Sequence, residues 1–225
     1  MVWTSIATSR KPKEHGIVDF VINNKMAGSN HRKIPALWNI LSLYNKKVAI
    51  IGWFATYPAE KINGYLISSR LGIWGYKISE NIPVEKYDWS GENIVYPPFF
   101  MNELKEKILN SYFDVASFID KNIFRFKCGI YKYAIEKSIY YPVIWQDEIY
   151  YRILNYLLDK EDFDLATVYF EGVDLSQHKL WRFNHNEAFK DITLNYYPEC
   201  AKINPVENYY YVIDRRYCQK FYEKQ

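Results

Sequence analysis

With 225 residues, 49% hydrophobic and 24% charged, the chain has a globular balance and enough length to bury a core without disulfide or metal staples. A net charge of +3 gives no reason to expect nucleic acid or an acidic membrane as partner. Cys128, Cys200 and Cys218 are odd in number and far apart, which excludes a disulfide framework and a Cys-x-x-Cys metal knuckle.

Taken in order, Met1 to Thr8 is compatible with a helix, and Ser9 to Glu14 is a polar turn around Pro12. Val18 to Ile22 reads as a strand, and Asn23 to Lys33 as a polar loop containing Gly28 and His31. In residues 35–44, Leu37, Ile40, Leu41 and Tyr44 recur at helical spacing, and Pro35 suits the first turn of that helix. Lys47 to Trp53 is an apolar strand, so helix and strand form the αβ half of a doubly wound unit. Phe54 to Glu60 is then a loop at a strand's carboxyl end, either substrate-facing or simply a turn set by Pro58. Gly64 to Ser68 is a short strand, and Arg70 to Pro98 reads as an excursion from the sheet, a lid or insert reaching toward residue 145.

Helices are expected over Phe99 to Leu109, over Ser111 to Asn122, and over the amphipathic stretch Asp147 to Leu158. Leu165 to Phe170, rich in β-branched and aromatic residues, reads as a second buried strand that Gly172 terminates. Asn184 to Pro205 is polar and irregular, and Val206 to Tyr222 is a tyrosine-rich helix. No run approaches the ~20 apolar residues needed to cross a bilayer, and the start lacks a signal-peptide core. As written the chain reads as cytoplasmic, although a leader could lie upstream of Met1.

The chemistry is expected just past the second strand. Asp174 follows the strand's carboxyl end, where open α/β sheets place ligands, and His178 lies four residues on, on the same side of a helix over Leu175 to Phe183. A carboxylate and an imidazole converging there suit zinc or a similar divalent metal. The plainer reading of these two residues alone comes first: Asp174 as a helix N-cap and His178 as a packed or surface histidine. Aromatic residues make up 19% of the chain, with 22 tyrosines, and a stacking surface for nucleic acid or glycan is a weaker alternative.

Several segments in a fixed order carry a resemblance. WTSIATSRKPKEHGIVDF, SNHRKIPALWNIL, VAIIGWFATYPAEKINGYLIS, IVYPPF and GVDLSQHKLWRF resemble type I phosphodiesterase/nucleotide pyrophosphatase-like members of the alkaline phosphatase superfamily over essentially the whole chain. The resemblance implies an α/β, alkaline-phosphatase-like fold with a mostly parallel sheet, incomplete here, forming one partial domain over 1–225. It implies metal-dependent hydrolysis of phosphate esters, with two zinc-type ions clamping the phosphoryl group. Asp174 and His178 match one half of that metal site. His15, His31 and Glu60 are candidates near the substrate.

The departures from the family pattern are specific. The matching nucleophile position falls four residues before Trp3, and the first metal-binding Asp earlier still. Thr4 and Ser5 do not align with that nucleophile. No Asp-His dipeptide follows, and His185 reads as an exposed loop residue rather than a substitute ligand. Ser9 replaces a glycine, and Phe20 stands where pyrophosphatases place an Asn, which speaks against nucleotide specificity. The chain is therefore expected to be an internal portion of a longer ancestral protein, inactive alone and open to a complementing polypeptide. A catalytically silent scaffold or binding protein is the competing expectation.

Overall fold

The computed structural model describes residues 1–71, 92–109, 112–124, 140–180 and 205–218. The chain falls into two compact units, one of residues 1–110 and 150–169, the other of residues 111–149 and 170–225.

The first unit is built on four consecutive apolar residues. Strand β3, Val48–Ile51, is buried at every position, as expected of a strand covered on both faces. It pairs in parallel with β4, Gly64–Ile67, on one side and with β6, Leu165–Val168, on the other. A short strand β5, Val95–Tyr96, runs antiparallel to β4, so the order is β5-β4-β3-β6. The sheet is mixed, mostly parallel and flanked by helices, which is the α/β class read from the sequence. At Gly64, φ is 133° and an added Cβ would sit 2.0 Å from the Val48 carbonyl oxygen, so only glycine lets β4 enter this register.

Local chemistry explains most of the remaining elements. Helix α1, Val2–Thr8, ends at Ser9, and α2, Pro12–His15, opens on proline, whose missing amide costs nothing in a first turn. A two-residue hairpin joins β1, Val21–Ile22, to β2, Lys25–Met26, and a 3-10 turn spans Ser29–His31. Helix α3 is Leu37–Leu43, and the Asn39 side chain accepts the Ala36 amide at its start at 2.8 Å. Ala7, Ala36, Trp38, Val48, Ile50, Ile62 and Leu66 form one core cluster of this unit, and Ile17, Ala27 and Ala55 another. Lys46 pairs with Asp164 at 2.9 Å and Lys47 with Glu161, fastening the start of β3 to the turn before β6. Helix α4, Phe100–Leu104, continues as a π-helix over Lys105–Leu109.

In the second unit, α5, Tyr112–Ile119, runs on as a π-helix to Phe124, and α8, Pro205–Val212, likewise to Cys218. Asn208 donates to the Ile123 carbonyl at 2.8 Å, tying these two together. Helix α6, Tyr140–Lys160, gives residues 140–149 to this unit and 150–160 to the first. Helix α7 is Gly172–Leu180.

The polar turn expected over Ser9 to Glu14 is helical from Pro12 onward. Four expectations need correction. The strand over Val18 to Ile22 shrinks to two residues, Val21 and Ile22, and Val18 and Phe20 before them are more than half exposed. Pro35 lies outside α3, whose N-cap is Ala36. The stretch Arg70 to Pro98 is not wholly outside the sheet, because Val95–Tyr96 returns to pair with β4; residues 72–91 lie outside the described residues. The β6 strand is half-buried rather than buried, because among the described residues it pairs on one side only.

Ser9 holds a left-handed conformation, φ 54°, ψ 32°, at the C-cap of α1. This is the position where the resembled family carries glycine. A side chain there costs ~1 kcal/mol that glycine avoids. Ser9→Gly is expected to stabilise the protein by about 0.5–1 kcal/mol, read as a higher midpoint in urea unfolding; an unchanged or lower midpoint contradicts this account.

Candidate functional site

The loop that follows β3 is bonded to the segment that carries His31 and Arg32, the last of which binds Glu60, and that segment is bonded in turn to His15. His15 is fully buried. Its Nδ1 accepts the Ile17 amide at 3.1 Å, and its Nε2 lies 3.0 Å from Ser5 Oγ. The amide can only donate, so Nδ1 carries the lone pair and the ring proton sits on Nε2, pointing at Ser5. A Ser–His nucleophile pair needs the opposite arrangement, with Nε2 free to take the hydroxyl proton. Burial holds His15 below the ordinary histidine value, helped by the positive N-terminus and Arg32.

His31 Nδ1 accepts the Gly28 amide at 3.0 Å, closing the 3-10 turn, and the Lys33 amide donates to the His15 carbonyl. Glu60 receives two bonds from one Arg32 nitrogen, at 2.6 and 2.7 Å, and further donors from Trp38 and Asn39 at 3.3 Å. The Arg32 side chain is only 4% exposed. The structure therefore gathers these three residues around the segments 15–17, 28–33 and 54–60, each with hydrogen-bond partners. Phe20 is 51% exposed and packs edge-on against Phe54, 5.1 Å between ring centres, at the same end of β3.

Asp174 and His178 belong to α7 in the second unit. The helix begins at Gly172, so Asp174 is in its first turn rather than at the cap, and its charge suits the positive end of the helix dipole. His178 Nε2 lies 3.6 Å from Asp174 Oδ1, with both side chains about 70% exposed. Two donors about 2.1 Å from a tetrahedral zinc ion stand roughly 3.4 Å apart, so this spacing fits two vertices of such a site. Among the described residues, no cluster of three or more His, Cys, Asp or Glu donors forms. His185, Cys128 and Cys200 lie outside the described residues, and Cys218 is a half-buried free thiol.

A profile of the family described as type I phosphodiesterase / nucleotide pyrophosphatase matches residues 1–216. The chain belongs to that family. At family level this makes it a phosphodiesterase/pyrophosphatase-type hydrolase scaffold, and the family is generally metal-dependent and acts on phosphate esters. No curated protein and no solved structure matches the chain significantly. No helix among the described residues is long and apolar enough to cross a membrane.

Sequence reasoning passed over two acids on α6. Asp147 is fully buried, and its carboxylate accepts the Glu171 amide at 3.1 Å, the Gly172 amide at 2.8 Å and the Tyr209 hydroxyl. Burial pushes Asp147 up, but three donors aimed at its two oxygens pull the other way and hold it as the ionised acceptor. Next to it, Glu148 is equally buried and binds Arg216 at 2.7 Å and Tyr217 at 2.9 Å. Two acids inside the apolar run from Val143 to Leu154 were the available signal, since such groups are buried only with partners.

The His15 geometry predicts how acid acts. The folded state resists protonation at His15 while the unfolded chain titrates at its ordinary value of 6.5. Stability from this group is therefore complete above pH 6.5 and declines as pH falls below it. In denaturant titrations from pH 8 to pH 5, His15→Gln is expected to lack this decline, so the gap between wild type and variant narrows in acid. A gap that stays constant would mean that His15 is not held neutral.

Proposed function

We propose that the chain supplies half of a two-metal phosphoric ester hydrolase site, with Asp174 and His178 binding one zinc-type ion. The supporting observation is the 3.6 Å separation of carboxylate and imidazole on the helix that directly follows β6, in a chain matched by the family profile. A cation bound there would polarise a phosphoryl oxygen of a small phosphate-ester substrate. The exposed pair leaves room for both metal and substrate, and His178 binds metal as the neutral imidazole.

Structural zinc sites with four ligands reach ~10–16 kcal/mol, and two ligands give about half of that. This corresponds to a dissociation constant of roughly 1 μM to 0.1 mM. Calorimetry with zinc chloride is expected to show such binding in the wild type and its loss in His178→Ala. Identical titrations would remove the pair from consideration.

We further propose that these 225 residues do not hydrolyse phosphate esters unaided. The resemblance supplies one metal pair, and the hydroxyls nearest the start of the chain do not take the nucleophile's place: Thr4 is buried, and Ser5 Oγ accepts a hydrogen bond from His15 Nε2–H. The same observation favours a second reading, a catalytically silent scaffold that retains ligand binding. The expected outcome is no turnover of bis-p-nitrophenyl phosphate or p-nitrophenyl phosphate with added zinc or manganese. Metal-dependent turnover that disappears in Asp174→Ala would overturn it.

A further inference from the structure

The sequence sets no short polar residue immediately before helix α7. The residue before Gly172 is Glu171, preceded by Phe170, and neither belongs to the short polar types that satisfy free amides at a helix start. Asp147, 25 positions earlier on α6, fills that role instead. Its Oδ1 accepts the Glu171 amide and its Oδ2 accepts the Gly172 amide, as one carboxylate spanning two adjacent donors. The Tyr209 hydroxyl of α8 donates to the same Oδ2 and fixes the carboxylate plane. The approach is close: a Cβ at Gly172 would lie 2.7 Å from Asp147 Oδ2 and 2.7 Å from the Tyr209 oxygen. Glycine at 172 is what lets the helix start reach the buried acid.

Three helices therefore meet at one side chain. The rise from Gly172 to Asp174 is two residues and to His178 six, so whatever fixes the first turn of α7 fixes the direction in which both project. We propose that Asp147, locked by Tyr209, is the positioning residue for the Asp174–His178 pair, acting as a cap donated from a different helix. This rests on the proposed half-site for its metal consequence, while the cap itself rests on hydrogen bonds within the chain. Asparagine at 147 would keep the shape but offer one acceptor and turn an N–H toward an amide N–H, losing at least one of the two bonds.

The test uses the full chain, amide hydrogen exchange at Glu171 and Gly172, and calorimetry with zinc chloride. Asp147→Asn is expected to speed exchange at one or both amides by tenfold or more and to weaken zinc binding about tenfold. Tyr209→Phe keeps both amide bonds and is expected to weaken both readouts in the same direction but less, which covers the case in which Asp147→Asn does not fold. His178→Ala is expected to abolish zinc binding and leave exchange at Glu171 and Gly172 unchanged. Unchanged exchange in both Asp147→Asn and Tyr209→Phe would overturn the cap. Faster exchange with wild-type zinc affinity would overturn the positioning role. If the wild type binds no zinc, the half-site reading fails and the positioning role fails with it, while the exchange data still decide the cap.

Discussion

The pairing of β3 with two parallel neighbours is the constraint on which the first unit depends. Val48, Ala49, Ile50 and Ile51 face Gly64 to Ile67 on one side and Leu165 to Val168 on the other, in a single shared register. A slip of one residue would turn every side chain of a strand to the opposite face. That register places the loop 52–63 at the carboxyl end of β3, and the loop brings Glu60 to Arg32. The buried guanidinium needs that carboxylate, because an isolated charge in such a place is costly. Ser29 then holds Tyr57 and Pro58, its amide and hydroxyl donating to their carbonyls at 2.8 and 2.6 Å. The candidate residues His15 and His31 inherit their positions from this chain of contacts.

The second unit solves a different problem. It places two acids, Asp147 and Glu148, side by side in a fully buried helical segment and satisfies them with partners from other segments. Tyr217 adds its ring against Phe170 at 4.9 Å, and Arg216 stacks on Phe118 at 3.8 Å, so the polar pair is enclosed by aromatic surface. Burial raises both Tyr209 and Tyr217 well above the ordinary phenol value, which keeps their hydroxyls as donors to the acids. A buried polar cluster of this kind is exacting: each member must be present for the others to be tolerated.

What the sequence shows plainly is what local periodicity controls. The run Val48 to Ile51 reads as a covered strand, and Leu37, Ile40 and Leu41 read as a helix, because each pattern needs only its near neighbours. The spacing of Asp174 and His178 was legible for the same reason. Asp147 was not, because its burial is decided by an amide 25 residues later and a phenol 62 residues later. The half-burial of β6 was equally hidden, since a strand's place in the sheet order is a tertiary fact. The Arg32–Glu60 pair, 28 residues apart, has no signature in composition or spacing.

The clasp at the start of β3 also has a bearing on the order of folding. Lys47 gives its amide to Asp164, 117 residues downstream, and its ammonium group to Glu161. A chain emerging from the ribosome can pair β3 with β4 early, since the two are separated by a short loop. The other flank of β3 must wait until Leu165 has been synthesised, which at ~5–20 residues per second is several seconds or more. During that interval one row of β3 backbone donors and acceptors is open beside a strongly apolar strand, a template for pairing with another nascent chain. Vulnerability in biogenesis is thus concentrated in four residues that the finished protein buries completely.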